Sequence, residues 1–334
     1  MLRAGLKLAS LAFSVLLALG IAVAAIAVSA IRSPGPSAAE TTVVLPRGSS
    51  LNAIAAVLHQ EGVIDHPQMF ALYVRLSGDA DSLRAGEYRF PAAVSAADVS
   101  RQLVDGRTFK RRLTVPEGLP TDRVLALVAD APALAGEVPR TVAEGTLLPE
   151  TYQYEWGDTR ATLVARMQRA HADLLASLWG ARADQAAALQ TPAQAVILAS
   201  IVERETGIAA ERARIAAVFH NRLRMGMRLQ SDPTVEYGLK LRGRADGVPL
   251  TRDDLEADHP YNTYRIRGLP PGPIANPGRA ALEAVLNPAV TDELYFVADG
   301  TGGHAFAVTL DEHNRNVARY RASREGAQPA APRD

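Results

Sequence analysis

The chain is 334 residues long, enough for two or three compact units each with its own core. Apolar residues make up 48% and charged residues 22%, the proportions of a folded protein, which excludes wholesale disorder. Lys+Arg and Asp+Glu balance at 36 each, removing the electrostatic case for nucleic acid as a partner, and the absence of cysteine excludes disulfides, thiol catalysis and thiolate metal sites.

From Leu8 to Ile31 no charged residue occurs. As a helix this stretch spans ~36 Å, slightly more than a hydrocarbon core of ~30 Å, and predicts a single N-terminal transmembrane helix over residues 8–31. Arg3 and Lys7 precede it and only Arg32 directly follows. The positive-inside bias therefore predicts a single-pass membrane protein with residues 1–7 in the cytoplasm and the body of the chain outside. Ala25-Ile26-Ala27 and Val28-Ser29-Ala30 have the small residues of a signal-peptide cleavage site, but the apolar region of such signals is only ~7–15 residues long.

Residues 32–41, with Ser33-Pro34-Gly35-Pro36-Ser37, form a linker. Thr42-Val43-Val44-Leu45 predicts a strand, Leu51, Ile54, Ala55 and Leu58 an amphipathic helix, and Met69, Leu72, Tyr73 and Leu76 a second one. Glu87-Tyr88-Arg89-Phe90 predicts another strand, and Ser95 with Asp98 the start of a helix ending near Gly106. This β-α-α-β unit over 42–107 resembles a LysM-like module, a fold used to hold N-acetylglucosamine-containing chains; the alternative reading is a spacer that makes no sugar contact. A strand at Arg111 to Val115 and a helix from Thr121 to Ala129 predict a connecting unit over 108–145.

From 146 to 323 denser turn chemistry and polar and aromatic clusters predict the catalytic domain. Its helices are expected at Thr159 to Leu178, Pro192 to Thr206 and Glu211 to Arg224, with strands at Leu294 to Ala298 and Ala305 to Val308. Residues 324–334 have the composition of a disordered tail. The expected fold class is thus α+β: one membrane helix, a small LysM-like subdomain and a mixed α+β catalytic domain.

His59, His66, His171, His220, His259, His304 and His313 show no metal-ligand spacing, and neither a nucleophile elbow nor a phosphate loop is visible. Neither metal nor cofactor is expected, and carboxylates remain. Glu203 and Glu205 end an otherwise apolar helix, where residues two apart point roughly 200° away from each other. Glu205 shares its face with Leu198, Ile201 and Val202, whereas Glu203 follows Val196, Ala199 and Ser200. A carboxyl held against aliphatic groups is harder to ionise and keeps a proton for a leaving oxygen, which favours Glu205 as the acid. The structural alternative is that both glutamates pair with Arg204, Arg212 or Arg214 and solvate a helix end.

The run Leu198-Ala199-Ser200-Ile201-Val202-Glu203-Arg204-Glu205-Thr206 is followed by Val218-Phe219-His220-Asn221-Arg222-Leu223 and Leu229-Gln230-Ser231-Asp232-Pro233-Thr234. Tyr261-Asn262-Thr263-Tyr264, Gly268-Leu269-Pro270-Pro271-Gly272-Pro273-Ile274-Ala275-Asn276-Pro277-Gly278 and Tyr295-Phe296-Val297-Ala298 complete the series. Together these motifs resemble the YceG-like endolytic murein transglycosylase family, over residues from about 42 to 320.

The resemblance implies a lyase that cuts the β-1,4 bond between N-acetylmuramic acid and N-acetylglucosamine within peptidoglycan strands, leaving 1,6-anhydro ends. It places the catalytic role on Glu205, with Glu203 and Glu150 as possible supporting carboxylates. Glu150 stands where the family pattern carries an aspartate as often. Gln230, Tyr261, Asn262, Thr263, Tyr264 and Asn276 supply the amide, hydroxyl and aromatic groups a sugar chain needs and are the expected substrate contacts. His304 is expected at the surface. Expected partners are glycan strands, the cytoplasmic membrane through one helix, and peptidoglycan synthases, with a role in ending or releasing new strands. Two alternatives stay open: a non-catalytic wall-binding membrane protein, and a muramidase-type hydrolase using the same cleft.

Overall fold

The computed structural model describes residues 2–327 and is a mixed α+β protein. It divides into two compact units, Met1–Arg111 with Gln153–Asp158 and Arg112–Tyr152 with Thr159–Asp334. Helix α1 (Leu2–Arg32) contains the apolar stretch, and its Phe13–Arg32 portion, of mean hydropathy 2.6, is long and apolar enough to cross a membrane. Leu11, Phe13, Leu16, Ile21 and Ile26 are exposed on it, an apolar surface that water does not favour.

The first unit continues with β1 (Thr41–Leu45), α2 (Leu51–Gln60), α3 (Pro67–Leu76), β2 (Gly86–Phe90) and α4 (Ala96–Asp105). β1 and β2 pair antiparallel with Val43 opposite Tyr88 and Leu45 opposite Gly86. Alternation along both strands sends Val43, Leu45, Tyr88 and Phe90 into one core with Leu58, Phe70, Val74 and Leu103. The Ser95 hydroxyl accepts the Asp98 N–H to start α4 and also donates to the Asp98 carboxylate, and Gly106, in the left-handed region at φ 66°, ends it. Glu87, buried on β2, is held by both arms of the Arg111 guanidinium at 2.8 and 2.7 Å, which balances the burial of its charge.

Strand β3 (Arg111–Thr114) leads to α5 (Thr121–Asp130) and pairs with β4 (Thr151–Tyr154), after which come α6 (Arg160–Gly180) and α7 (Pro192–Glu205). By its contacts the segment from Arg112 onward, read from sequence as a connector, belongs to the second unit. The chain continues through α8 (Ala209–Arg224), α9 (Asp232–Leu241), the short α10 (Arg252–Glu256) and α11 (Arg279–Leu286). A hairpin of β5 (Tyr295–Ala298) and β6 (His304–Ala307), with Phe296 opposite Phe306, precedes α12 (Leu310–Ala327). Of the expected disordered tail, 324–327 continue α12 and 328–334 lie outside the described residues.

Helix α7 is the centre of this unit. It is apolar on nearly every side, so it is stable only when surrounded, and Leu198, Ala199, Ile201 and Val202 are fully buried among α6, α8 and α11. Its start is set by Thr191, whose hydroxyl accepts the Gln194 N–H, and by Pro192 in the first turn. Its last turn delivers Glu203 and Glu205.

Candidate active site

The two glutamates diverge as helix geometry requires. The Glu203 side chain is largely enclosed, and its Oε2 accepts the Gly278 N–H at 2.9 Å, at the N-cap of α11, where unpaired amides and the helix dipole favour a negative group. Arg212 lies 3.9 Å away. Burial pushes the Glu203 pKa up, and the Glu117 charge adds to that, while the Gly278 bond and Arg212 oppose it. Glu203 thus ties the end of α7 to the start of α11. Arg204 and Arg214 turn to Glu236 and Glu293 instead, so of the three arginines Arg212 alone pairs here, with Glu203.

Glu205 points into a different setting. Its pKa is pushed up to about 7, chiefly by burial and further by the Asp232 charge, against the opposing effects of the Ser231 hydrogen bond, His304 and Arg222. The residue keeps partial solvent exposure while protein crowds its carboxyl, a combination that holds a proton and leaves part of the side chain reachable.

Ser231 Oγ donates to Glu205 Oε1. Ser231 is the N-cap of α9, where a serine hydroxyl ordinarily accepts an amide of the first turn; here it makes no such bond and serves Glu205. Its backbone is pinned on both sides. The Ser231 N–H donates to Thr263 Oγ1 at 2.9 Å, and Thr234 Oγ1 donates to the Ser231 carbonyl at 2.7 Å. Thr234 has then spent its single proton, so in the 2.8 Å contact between the two threonine hydroxyls Thr263 is the donor. Gln230, just before, is non-glycine backbone at φ 52°, a left-handed conformation held by its N–H bond to the Thr263 carbonyl. Arg222 is buried and donates to the carbonyls of Leu229 and Leu294, fixing the approach to this segment while placing a positive charge near Glu205.

Asp232, exposed at the first position of α9, accepts the Tyr264 hydroxyl at 2.7 Å. Tyr264 is half-buried, and burial together with Asp232 raises its pKa, so it remains a phenol donor. His304 is half-buried and held by Glu211 on α8 through both its N–H (2.9 Å) and Nδ1 (2.7 Å).

The expected substrate contacts separate into two groups. Gln230 is exposed and Tyr264 half-buried, both beside Ser231 and Asp232. Tyr261 packs against Tyr237 at 5.0 Å between ring centroids and against His259. Asn262, Thr263 and Asn276 are buried and their polar atoms are engaged by protein. Asn262 Nδ2 reaches the carbonyls of Asp254, Leu255 and Ala257 at the end of α10, and its Oδ1 accepts the Tyr264 N–H. Asn276 Nδ2 donates to Leu119 O and Thr121 Oγ1, both at 3.0 Å, and its Oδ1 accepts the Leu147 N–H at 2.9 Å. These three position loops, because irregular backbone carried into a core must find partners there. Glu150 is exposed at the head of β4, its carboxylate on the adjacent Thr151 N–H.

Sequence reasoning missed Ser231 and Asp232. Their signal was Ser-Asp-Pro at a helix start, which reads as ordinary capping. It also missed Glu144, whose Oε1 accepts from Thr121 N (2.8 Å) and Oγ1 (3.0 Å) and whose Oε2 accepts from Tyr237 (3.2 Å).

The YceG-like family matches residues 43–319. A Bacillus subtilis protein named endolytic murein transglycosylase is 32% identical over 311 residues, covering 84% of this chain and 84% of its own. A Streptococcus pneumoniae protein of the same name is 30% identical over 325 residues, covering 84% of this chain, which spans 58% of the pneumococcal protein. The crystal structure of a YceG-like protein from Listeria monocytogenes superposes with a TM-score of 0.51 at 31% identity, covering 83% of this chain and 98% of that one. The matched span includes Glu205, the Ser231-Asp232 helix start and the loop that closes on Asn276, and the chain belongs to the YceG-like family.

Proposed function

We propose that this chain is an endolytic lytic transglycosylase of peptidoglycan, with Glu205 as its catalytic acid and base. The observation that carries this reading is the Glu205 carboxyl, raised to about 7 by burial and held through one oxygen by Ser231. The names of the Bacillus and Streptococcus relatives support the substrate class.

Ser231 donates to Oε1, so the proton of neutral Glu205 sits on Oε2. In the first step Oε2 gives that proton to the bridging oxygen as the bond from the muramoyl C1 breaks, the bonding pair leaving with that oxygen as the glucosamine 4-hydroxyl. In the second, the Glu205 carboxylate takes the proton of the muramoyl 6-hydroxyl as O6 attacks C1, which closes the 1,6-anhydro ring and returns Glu205 to its neutral form. No water is consumed and one carboxyl serves both steps. The Asp232 charge favours the protonated start. Gln230, Tyr261 and Tyr264 are the side chains offered to the glycan in this reading.

Helix α1 holds the enzyme in the cytoplasmic membrane with the rest of the chain on the outer side, supported by its length and apolarity and by the flanking Arg3 and Lys7. The β1-α2-α3-β2-α4 unit is a LysM-like glycan holder in this account, and peptidoglycan synthases are its partners in ending new strands.

A muramidase-type hydrolysis in the same cleft is the second reading, and Asp232 is the observation that favours it, as a further carboxylate beside the acid. Mass spectrometry of strands digested by the purified protein separates the two. Anhydromuramoyl ends are expected; reducing muramoyl ends would transfer the reaction to the hydrolase class.

A further inference from the structure

A groove of the second unit lies next to the Glu205 segment without being lined by Glu205 itself. It has a volume of ≈ 510 Å³ and lies between α5, α9 and the 243–250 loop, and its lining includes Arg204 and Pro233, the chain neighbours of Glu205 and Asp232. Its floor is aliphatic, formed by Leu119, Leu127, Leu239 and Ile274, with Val248 and Leu250 contributed by the loop.

Its rim carries charges of both signs. Arg123, Arg204 and Lys240 face Asp246, Glu236 and Asp122 at 2.7, 3.5 and 3.0 Å. The Arg123 and Arg204 pairs are exposed at both partners, and the Lys240 pair at Asp122, so each contributes little and its members are free to exchange partners with a ligand. Arg244 is different: it is largely enclosed, bound to Asp254 and to the Pro249 carbonyl, and it fixes the loop as a wall.

This chemistry selects a ligand class. A neutral sugar chain calls for aromatic faces and amide side chains, and Tyr237 is the one aromatic in the lining, which has neither Asn nor Gln. A short peptide with small methyl side chains, several carboxylates and an ammonium group matches an aliphatic floor inside a rim of exchangeable cations and anions. Resting on the transglycosylase reading, we propose that this groove holds the stem peptide of the muramoyl residue whose bond lies at Glu205. The peptide is covalently attached to that sugar, and a groove lined by Arg204 and Pro233, each one residue along the chain from Glu205 or Asp232, lies within reach of a peptide leaving the glycan there.

The test compares strands that carry stem peptides with the same strands stripped by an amidase, using the full chain in detergent. The ratio of kcat/KM on peptide-bearing to stripped strands is expected to be about tenfold or more in the native protein. It should fall toward one in Val248→Asp and Arg123→Glu, two exposed positions on the groove wall and rim. A native ratio of one, or a ratio left intact by both substitutions, would overturn the proposal; because each variant is its own reference, a general loss of folded enzyme does not move the ratio. In parallel, the free stem tetrapeptide is titrated into Glu205→Gln by NMR. Saturable shifts in that protein, weakened by Val248→Asp, are expected, and their absence counts against the groove. Should the native protein cut neither strand, the transglycosylase reading fails, and the titration still decides whether the groove takes the peptide.

Discussion

The Ser231 hydroxyl donates a hydrogen bond to Glu205, joining the N-cap of α9 to the last residue of α7 across 26 positions of sequence. The bond has opposite effects on the two protonation states. It stabilises the carboxylate, working against burial, and it leaves only Oε2 for the proton.

Ser231→Ala is expected to raise the Glu205 pKa, because the ionised form loses its donor. A hydrogen bond to a charged group contributes ~1.5–3 kcal/mol, so the basic limb of the pH profile of kcat/KM should move up by roughly one unit. The maximal rate should fall as the carboxyl loses its orientation. A basic limb that stays in place would show that Ser231 does not set the acid.

Asp232→Asn should act with the opposite sign. Removing the negative charge beside Glu205 makes ionisation easier, and the same limb should move to lower pH. Tyr264 keeps an acceptor in the asparagine, so the fold should hold. Measuring both variants in one buffer series provides an internal control, because opposite displacements cannot come from a common loss of stability.

Glu205 also makes the protein less stable at high pH. Its folded pKa of about 7 lies above the ordinary 4.5, so the folded state binds the proton more tightly than the unfolded chain. The cost of ionising it in place therefore grows as pH rises from about 4.5 and is complete above about 7. Glu205→Gln should accordingly be more stable than the native chain at pH 8, by on the order of 2 kcal/mol, with that advantage lost near pH 4. Denaturant unfolding at the two pH values measures it, and an equal difference at both would contradict a buried, raised carboxyl.

Glu203 has a structural task, and its replacement should be felt in stability. Glu203→Ala leaves the Gly278 N–H and Arg212 without their acceptor and should cost about 1–3 kcal/mol. Glu203→Gln, which keeps an acceptor, should restore most of that loss. Chemical denaturation of the two variants tests the difference.

How far the sequence was legible depended on whether a residue's pattern determined its direction. The apolar run behind Thr191 and Pro192 predicted α7, and its periodicity separated Glu203 from Glu205, since the two faces follow from 3.6 residues per turn. Short elements were harder: β4 is four residues long and gains its stability from β3, some 37 residues away, which no local pattern records. The polar loop residues show the same limit at the level of atoms. Asn262, Thr263 and Asn276 have the side chains a sugar would need, yet they turn inward to pair backbone groups, and residue type alone does not distinguish the two uses. Ser231 was hidden for the converse reason, a helix cap whose hydroxyl serves a carboxyl on another helix.

One proton carried by Glu205 drives the proposed reaction, and the most direct measurement places the native chain and Glu205→Gln side by side on intact glycan strands. Strand binding should persist in the variant while anhydromuramoyl products fall by a factor of about 100 or more, the contribution of a positioned acid and base. An unchanged product yield from Glu205→Gln would contradict the assignment.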